Sequence, residues 1–272
     1  MRSMLVLRLL TVAAGLTFSA VAAAHDNWLE IEPPAKESKA KVYLLTGEHF
    51  TEASALHVRD ARRYARFLLL SSAGKRDVTA ELREDQDVLA LLSLTKAGGS
   101  FAVELDAAPR TIEINAKHFN EYLLEERLVD VLMLRAIHGK EDDPGRERYS
   151  RSIKALLQVG QRLDPIVTQP VGADLEIVPL AHPFGVAPGG TLTIQVLFKG
   201  KALAGRTVLA ANRFRKDITT KTLRTDAAGK ATFPISRAGD WMFRLVHMEP
   251  SAEPDVDWRS YWTSLTFSLP ER

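Results

Sequence analysis

Histidine supplies most of the metal-binding chemistry available to this chain, because its 272 residues include seven histidines and no cysteine. The histidines stand at positions 25, 49, 57, 118, 138, 182 and 247. No two are spaced His-x-His or His-x-x-x-His, so a metal site would have to be assembled from distant segments. His25 has the richest chemistry. It follows Ala22-Ala23-Ala24, a small-x-small site of the kind cut by signal peptidase. Cleavage there exposes an α-amine beside the ring Nδ1, two nitrogens able to chelate one ion. An α-amine with a pKa of about 8 yields its proton to a metal near neutral pH.

Two more histidines stand out by position. His49 lies in Gly47-Glu48-His49-Phe50 at a predicted strand end. His247 ends the predicted strand Trp241–His247 and precedes an acidic loop with Glu253, Asp255 and Asp257. The candidate metal ligands are therefore His25, His49 and His247. His57, His118, His138 and His182 read as solvent-facing or structural. Three imidazoles and an amine suit Cu(II) or Ni(II), and Co(II) or Zn(II) would also be held.

Other chemistries are not encoded. Thiolate sites, cysteine nucleophiles and disulfides are excluded, so stability rests on packing. There is no phosphate-binding glycine loop and no Gly-x-Ser-x-Gly elbow. The formal charge is +2, and Arg2 and Arg8 would leave with a leader. A near-neutral mature chain argues against nucleic acid or an anionic membrane as the main partner. Asp142-Asp143 reads as solvated charge, and Trp241, Trp258, Tyr261 and Trp262 read as core rather than as a sugar platform.

The elements that must position these residues are mostly strands. Residues 1–24 read as a signal peptide, with an apolar core from Leu9 to Val21. No later apolar run nears the ~20 residues needed to span a bilayer, so no membrane span is expected after cleavage. Residues 25–165 read as an N-terminal β-rich domain. Its predicted strands cover 28–32, 40–46, 65–71, 88–94, 100–105 and 111–115, with Ala108-Pro109 as a turn between the last two. Within it, a helical segment is expected near 118–158, in two stretches: His118–His138 and Glu147–Leu157. Residues 170–272 carry seven more predicted strands, at 175–180, 191–198, 207–212, 221–224, 230–234, 241–247 and 261–268. That pattern is expected of an immunoglobulin-like sandwich. The fold class is mainly β: two β-sandwich domains with a short helical segment between them.

Several motifs together resemble one family. They are His25-Asp26-Asn27-Trp28-Leu29, Thr46-Gly47-Glu48-His49-Phe50, Glu147-Arg148-Tyr149-Ser150-Arg151 with Lys154, Leu175–Leu180, and Trp258–Phe267. In this order they resemble the DUF4198 family of exported proteins, across nearly the whole mature chain. That family includes proteins named as periplasmic components of nickel or cobalt uptake. The resemblance implies a periplasmic protein that binds nickel or cobalt and works with a membrane metal transporter. It also implies that the amino-terminal strand and the sheet ends converge. The nitrogen-rich ligand set adds copper, and the missing nucleophile and acid/base motifs fit a binding role rather than an enzyme. Two alternatives remain open at the level of sequence: a copper-dependent oxidative enzyme with an amino-terminal histidine brace, and a metal-free envelope interaction module.

Overall fold

A computed structural model describes residues 26–35, 39–48, 50–51, 54–187 and 189–271. Most of the chain is extended, because apolar residues alternate or run continuously in stretches bounded by turns. In the first half the strands are β1 (Asp26–Glu32), β2 (Ala40–Gly47), β3 (Ser54–Ala55), β4 (Tyr64–Ser71), β5 (Gly74–Asp77), β6 (Ala90–Leu92), β7 (Gly99–Ile114) and β8 (Gly145–Val159). Two helices, α1 (Ala116–Glu125) and α2 (Val129–Ile137), separate β7 from β8. Then follow β9 (Leu175–Pro179), β10 (Thr191–Phe198), β11 (Lys201–Ala202), β12 (Thr207–Phe214), β13 (Asp217–Arg224), β14 (Lys230–Pro234), β15 (Gly239–Pro250) and β16 (Trp258–Leu269).

Three layers form. The middle one is an eight-stranded sheet in the order β13-β12-β15-β16-β8-β7-β4-β5. An amino-terminal sheet of β1, β2, β3 and β6 covers one face of it, burying Leu29, Val42, Leu44 and Leu92 against Phe67, Phe101, Val103 and Ile153. A carboxy-terminal sheet of β9, β10, β11 and β14 covers the other, burying Ile177, Ile194 and Phe233 against Phe243, Leu265 and Leu156. The molecule is thus mainly β, built as sandwiches that share a sheet, with a short helical hairpin. Strands from before residue 165 and after residue 170 enter the same middle sheet, joined by the parallel β16–β8 ladder.

All seven predicted strands of the second half are present. Four of them, β12, β13, β15 and β16, face β9, β10 and β14 in the Greek-key manner of an immunoglobulin-like sandwich. In the first half two expectations are corrected. Glu147–Leu157 is strand, not helix. Ile153, Ala155 and Leu157 face one core while Leu156 faces the other, which a central strand requires. Its polar residues, periodic by coincidence, are absorbed by partners: Arg148 by Glu253 at 3.0 Å and Lys154 by Glu176 at 3.3 Å. The helical segment therefore ends at Ile137. Ala108-Pro109 is no turn either. It lies within the single long strand β7, where the register against β8 shifts between Ala107 and Arg110. Proline has no N–H to give to the ladder, and a bulge accommodates it.

The helical hairpin packs on the face that carries the amino-terminal sheet, but at the other end of β15 and β16. Phe119, Tyr122, Leu123, Leu128 and Val131 meet Val246, Met248, Trp258 and Trp262 there. Gly145 makes this docking close: a Cβ on it would stand 2.4 Å from the Phe119 ring. No helix among the described residues is long and apolar enough to cross a membrane.

Candidate functional site

Strand β1 runs across the middle sheet rather than joining it. The Ser264 and Thr266 hydroxyls of β16 donate to the carbonyls of Asn27 (2.8 Å) and Leu29 (2.5 Å). Trp28 is fully buried, edge-on to Phe50 at 5.3 Å and packed with Met242 and Ala211. The start of β1 is thereby fixed on β15 and β16.

At this corner the charges alternate. The Asp26 carboxylate is buried, 2.8 Å from the Nε of Arg244. Arg244, from the same face of β15, donates through Nη1 to Glu126 at the end of α1, at 2.5 Å. Burial works against the Arg244 charge, but the Glu126 and Asp26 carboxylates outweigh it and hold its pKa above the ordinary value. Arg151 lies over the Trp262 ring at 4.3 Å, and burial lowers its pKa against the opposing pull of neighbours that include Asp26. Trp262 stacks on Tyr122, with centroids 5.7 Å apart. Beneath them Glu147 takes hydrogen bonds from Ser260 and Tyr122, and burial raises its pKa. The corner is a desolvated, closely paired set of two guanidiniums and three carboxylates.

Asp26 is the Cα partner of Gly47 in the β1–β2 ladder. Asp26, which follows His25, and Gly47, two residues before His49, therefore form the end pair of that ladder. His25 and His49 themselves lie outside the described residues.

His247 sits elsewhere. Residues 242, 244, 246 and 248 of β15 face β1 and the helices, whereas 241, 243, 245 and 247 face the carboxy-terminal sheet. The His247 ring is 6% exposed, edge-on to Phe198 at 4.5 Å and nearly parallel to Tyr261. Burial, then the nearby Arg206 charge, pushes its pKa down to about 4. Its Nδ1 has no partner among the described residues. It does not pair with Asp257, which is held by Arg146 at 2.8 Å. Three residues along a strand from Arg244, His247 is on the opposite face of the sheet from Asp26.

The remaining histidines are separate. His57 pairs with Asp87 at 2.6 Å on the surface, His118 bonds Asn115 at the start of α1, His138 is exposed, and His182 meets the Ser100 hydroxyl at 2.9 Å. Among the described residues no three His, Asp or Glu side chains group to hold a metal. Trp241, Trp258, Tyr261 and Trp262 are buried, as core residues are. The sequence reading missed Arg244 and Glu126, and it held Arg151 only within a motif expected to be helical that is strand. Arg244 carries a legible signal, since an arginine inside the apolar run Trp241–Met248 must find a carboxylate.

The family model described as a domain of unknown function, DUF4198, matches residues 22–249. No curated protein matches the chain.

Proposed function

The chain belongs to the DUF4198 family, and from that premise we propose that its exported form binds a divalent transition metal ion at its processed amino terminus. Nickel, cobalt and copper are the candidate cargoes, and periplasmic uptake or handling with a membrane transporter is the role. One observation carries this reading: Asp26 is buried, clamped by Arg244 and paired in register with Gly47. Asp26, next to His25, and Gly47, two residues before His49, thus form one ladder end. The α-amine and Nδ1 of His25 would supply two nitrogens and His49 a third, a set that suits nickel and copper. His247 is left out, because its ring faces the opposite side of the middle sheet. Binding is favoured over oxidation of a polysaccharide, since the tryptophans of β15 and β16 are buried and offer no flat platform.

The test is native mass spectrometry and calorimetry on protein whose amino terminus is verified as His25. Ni(II), Co(II), Cu(II) and Zn(II) are titrated in turn. One ion per chain is expected, with affinity lost by His25→Ala and by a single alanine placed ahead of His25, which displaces the amine. His49→Ala weakens binding, and His247→Gln leaves it unchanged. Equal affinity in the parent and both His25 variants, or no bound ion in the parent, sinks the reading.

A further inference from the structure

The middle sheet forks. Pairing between β16 and β8 stops at Thr266 with Ala155. Beyond that point β16 stays with β15 as far as Leu269, while β8 stays with β7 as far as Val159. Their facing edges diverge, and no strand among the described residues lies between them. A cavity of about 1080 Å³ fills the fork. It is lined by the unbroken runs Ala155–Gln158 and Thr266–Pro270. A cavity against the face of a strand meets every second residue, whereas one beside its edge meets consecutive residues. The lining is therefore strand edge, whose N–H and C=O groups are the natural partners of another extended backbone.

The other walls define what fits. Leu163, Phe184 and Phe267 make one side apolar, and Leu29, Ile31 and Pro33 of β1 and its exit make the other. Ser264 and Thr266 cap the β1 carbonyls of Asn27 and Leu29, but the next hydroxyl in that row, Ser268, donates to Asp240 instead. Glu30, Glu32 and Asp240 stand in the lining. Arg213 serves both Glu30 and Asp240, and Lys41 serves Glu32. Three carboxylates share two cations, so an acidic excess remains.

We propose that this fork takes an extended peptide segment of a partner protein as an added strand between β8 and β16. The segment is apolar or small in its middle and carries a lysine or arginine at its end. A small amphiphile would satisfy the apolar walls but offer no backbone partner to either strand edge. An added strand satisfies both, as in other cases of strand addition. This inference does not depend on the metal reading.

The probes are end-capped, fluorescently labelled heptapeptides alternating valine and threonine, with lysine at each end, and their N-methylated counterparts. Saturable binding by fluorescence anisotropy is expected, about tenfold or more weaker for each N-methylated peptide, because a backbone donor is lost. Hydrogen exchange should show new protection at amides of residues 156–158 and 267–269. Ser268→Trp, at an exposed position in the lining, should block binding while leaving the thermal melt unchanged. The proposal is overturned if N-methylated peptides bind equally well, if protection appears elsewhere, or if no peptide binds. It also falls if folded Ser268→Trp binds like the parent. A decyltrimethylammonium probe that binds where every peptide fails would assign the cavity to small amphiphiles instead.

Discussion

Replacing Arg244 by methionine would leave the Asp26 and Glu126 carboxylates buried without their shared cation. Removing one member of a buried ionic set costs about 3–5 kcal/mol, because the charges left behind have been desolvated without compensation. Urea titration of Arg244→Met should show a loss of that order, and Asp26→Asn with Glu126→Gln in the same chain should recover much of it. A single-variant loss under about 1 kcal/mol would mean that water reaches the corner. Two other buried groups make stability depend on pH, with opposite signs. Glu104 is 1% exposed, and burial, opposed by Lys154 and aided by Asp106, pushes its pKa up to about 8 from an ordinary 4.5. Between those values the folded state binds more protons than the unfolded one, so stability falls as pH rises. His247 gives up its proton at about 4 rather than 6.5, so its contribution is lost as pH falls through that window. Of the two, only Glu104 acts between pH 6.5 and 8. Glu104→Gln should therefore raise the melting temperature more at pH 8 than at pH 6.5, and an equal gain at both would exclude a raised Glu104 pKa. A charge inside an apolar strand is a legible signal for Arg244 in β15 and Glu104 in β7, but not for Glu126, which caps α1. Which charge meets which was not legible, because partners such as Arg244 and Glu126 are brought together only by the packing of the helices on the sheet.

Among the elements, the strands of the second half were legible because short alternating runs stand between glycine turns, as in Thr191–Phe198 before Gly200. The helical stretch His118–His138 was legible as well, from the spacing of Phe119, Tyr122, Leu123 and Leu128, but its division into α1 and α2 was not. Strand β8 was not. Its first half is polar because Glu147 and Arg151 meet the helix side of the sheet and Arg148 meets Glu253 on the other, and its second half is mostly apolar on both faces. A central strand covered on both sides loses the period of two that identifies a strand. This assignment has a measurable consequence. Ile153→Ala, fully within the core shared by β8, β7 and the amino-terminal sheet, should cost about 2–5 kcal/mol. Arg148→Ala, which removes only a half-exposed pair with Glu253, should cost under about 1 kcal/mol. Comparable losses at the two positions in a denaturant series would contradict the placement of β8 at the centre of the sheet.

At the scale of the molecule, β8 makes one structure of what the sequence presents as two successive sandwiches. It pairs with β7 on one side and β16 on the other, and its buried Lys154 reaches Glu176 on β9 of the carboxy-terminal sheet. The opposite faces of the same sheet carry the two covering layers, and Leu68, Leu70, Ala102 and Leu156 of the first half complete the core beneath the carboxy-terminal sheet. Sequence alone could not convey this, because a parallel ladder between residues more than a hundred positions apart leaves no local mark. The physical consequence is cooperativity. Trp28 reports on the amino-terminal sheet, and Trp241, Trp258 and Trp262 report on β15 and β16. Thermal unfolding followed by fluorescence of Trp28→Phe, by fluorescence of a chain keeping Trp28 alone, and by far-ultraviolet circular dichroism should each give one transition. Curves normalised to the parent midpoint of each chain should superimpose. A chain divided between residues 165 and 170 should yield two fragments that fold only when mixed. Independent melting of either fragment with the native midpoint would show that the shared sheet is an association of two self-sufficient domains and not the element on which both depend.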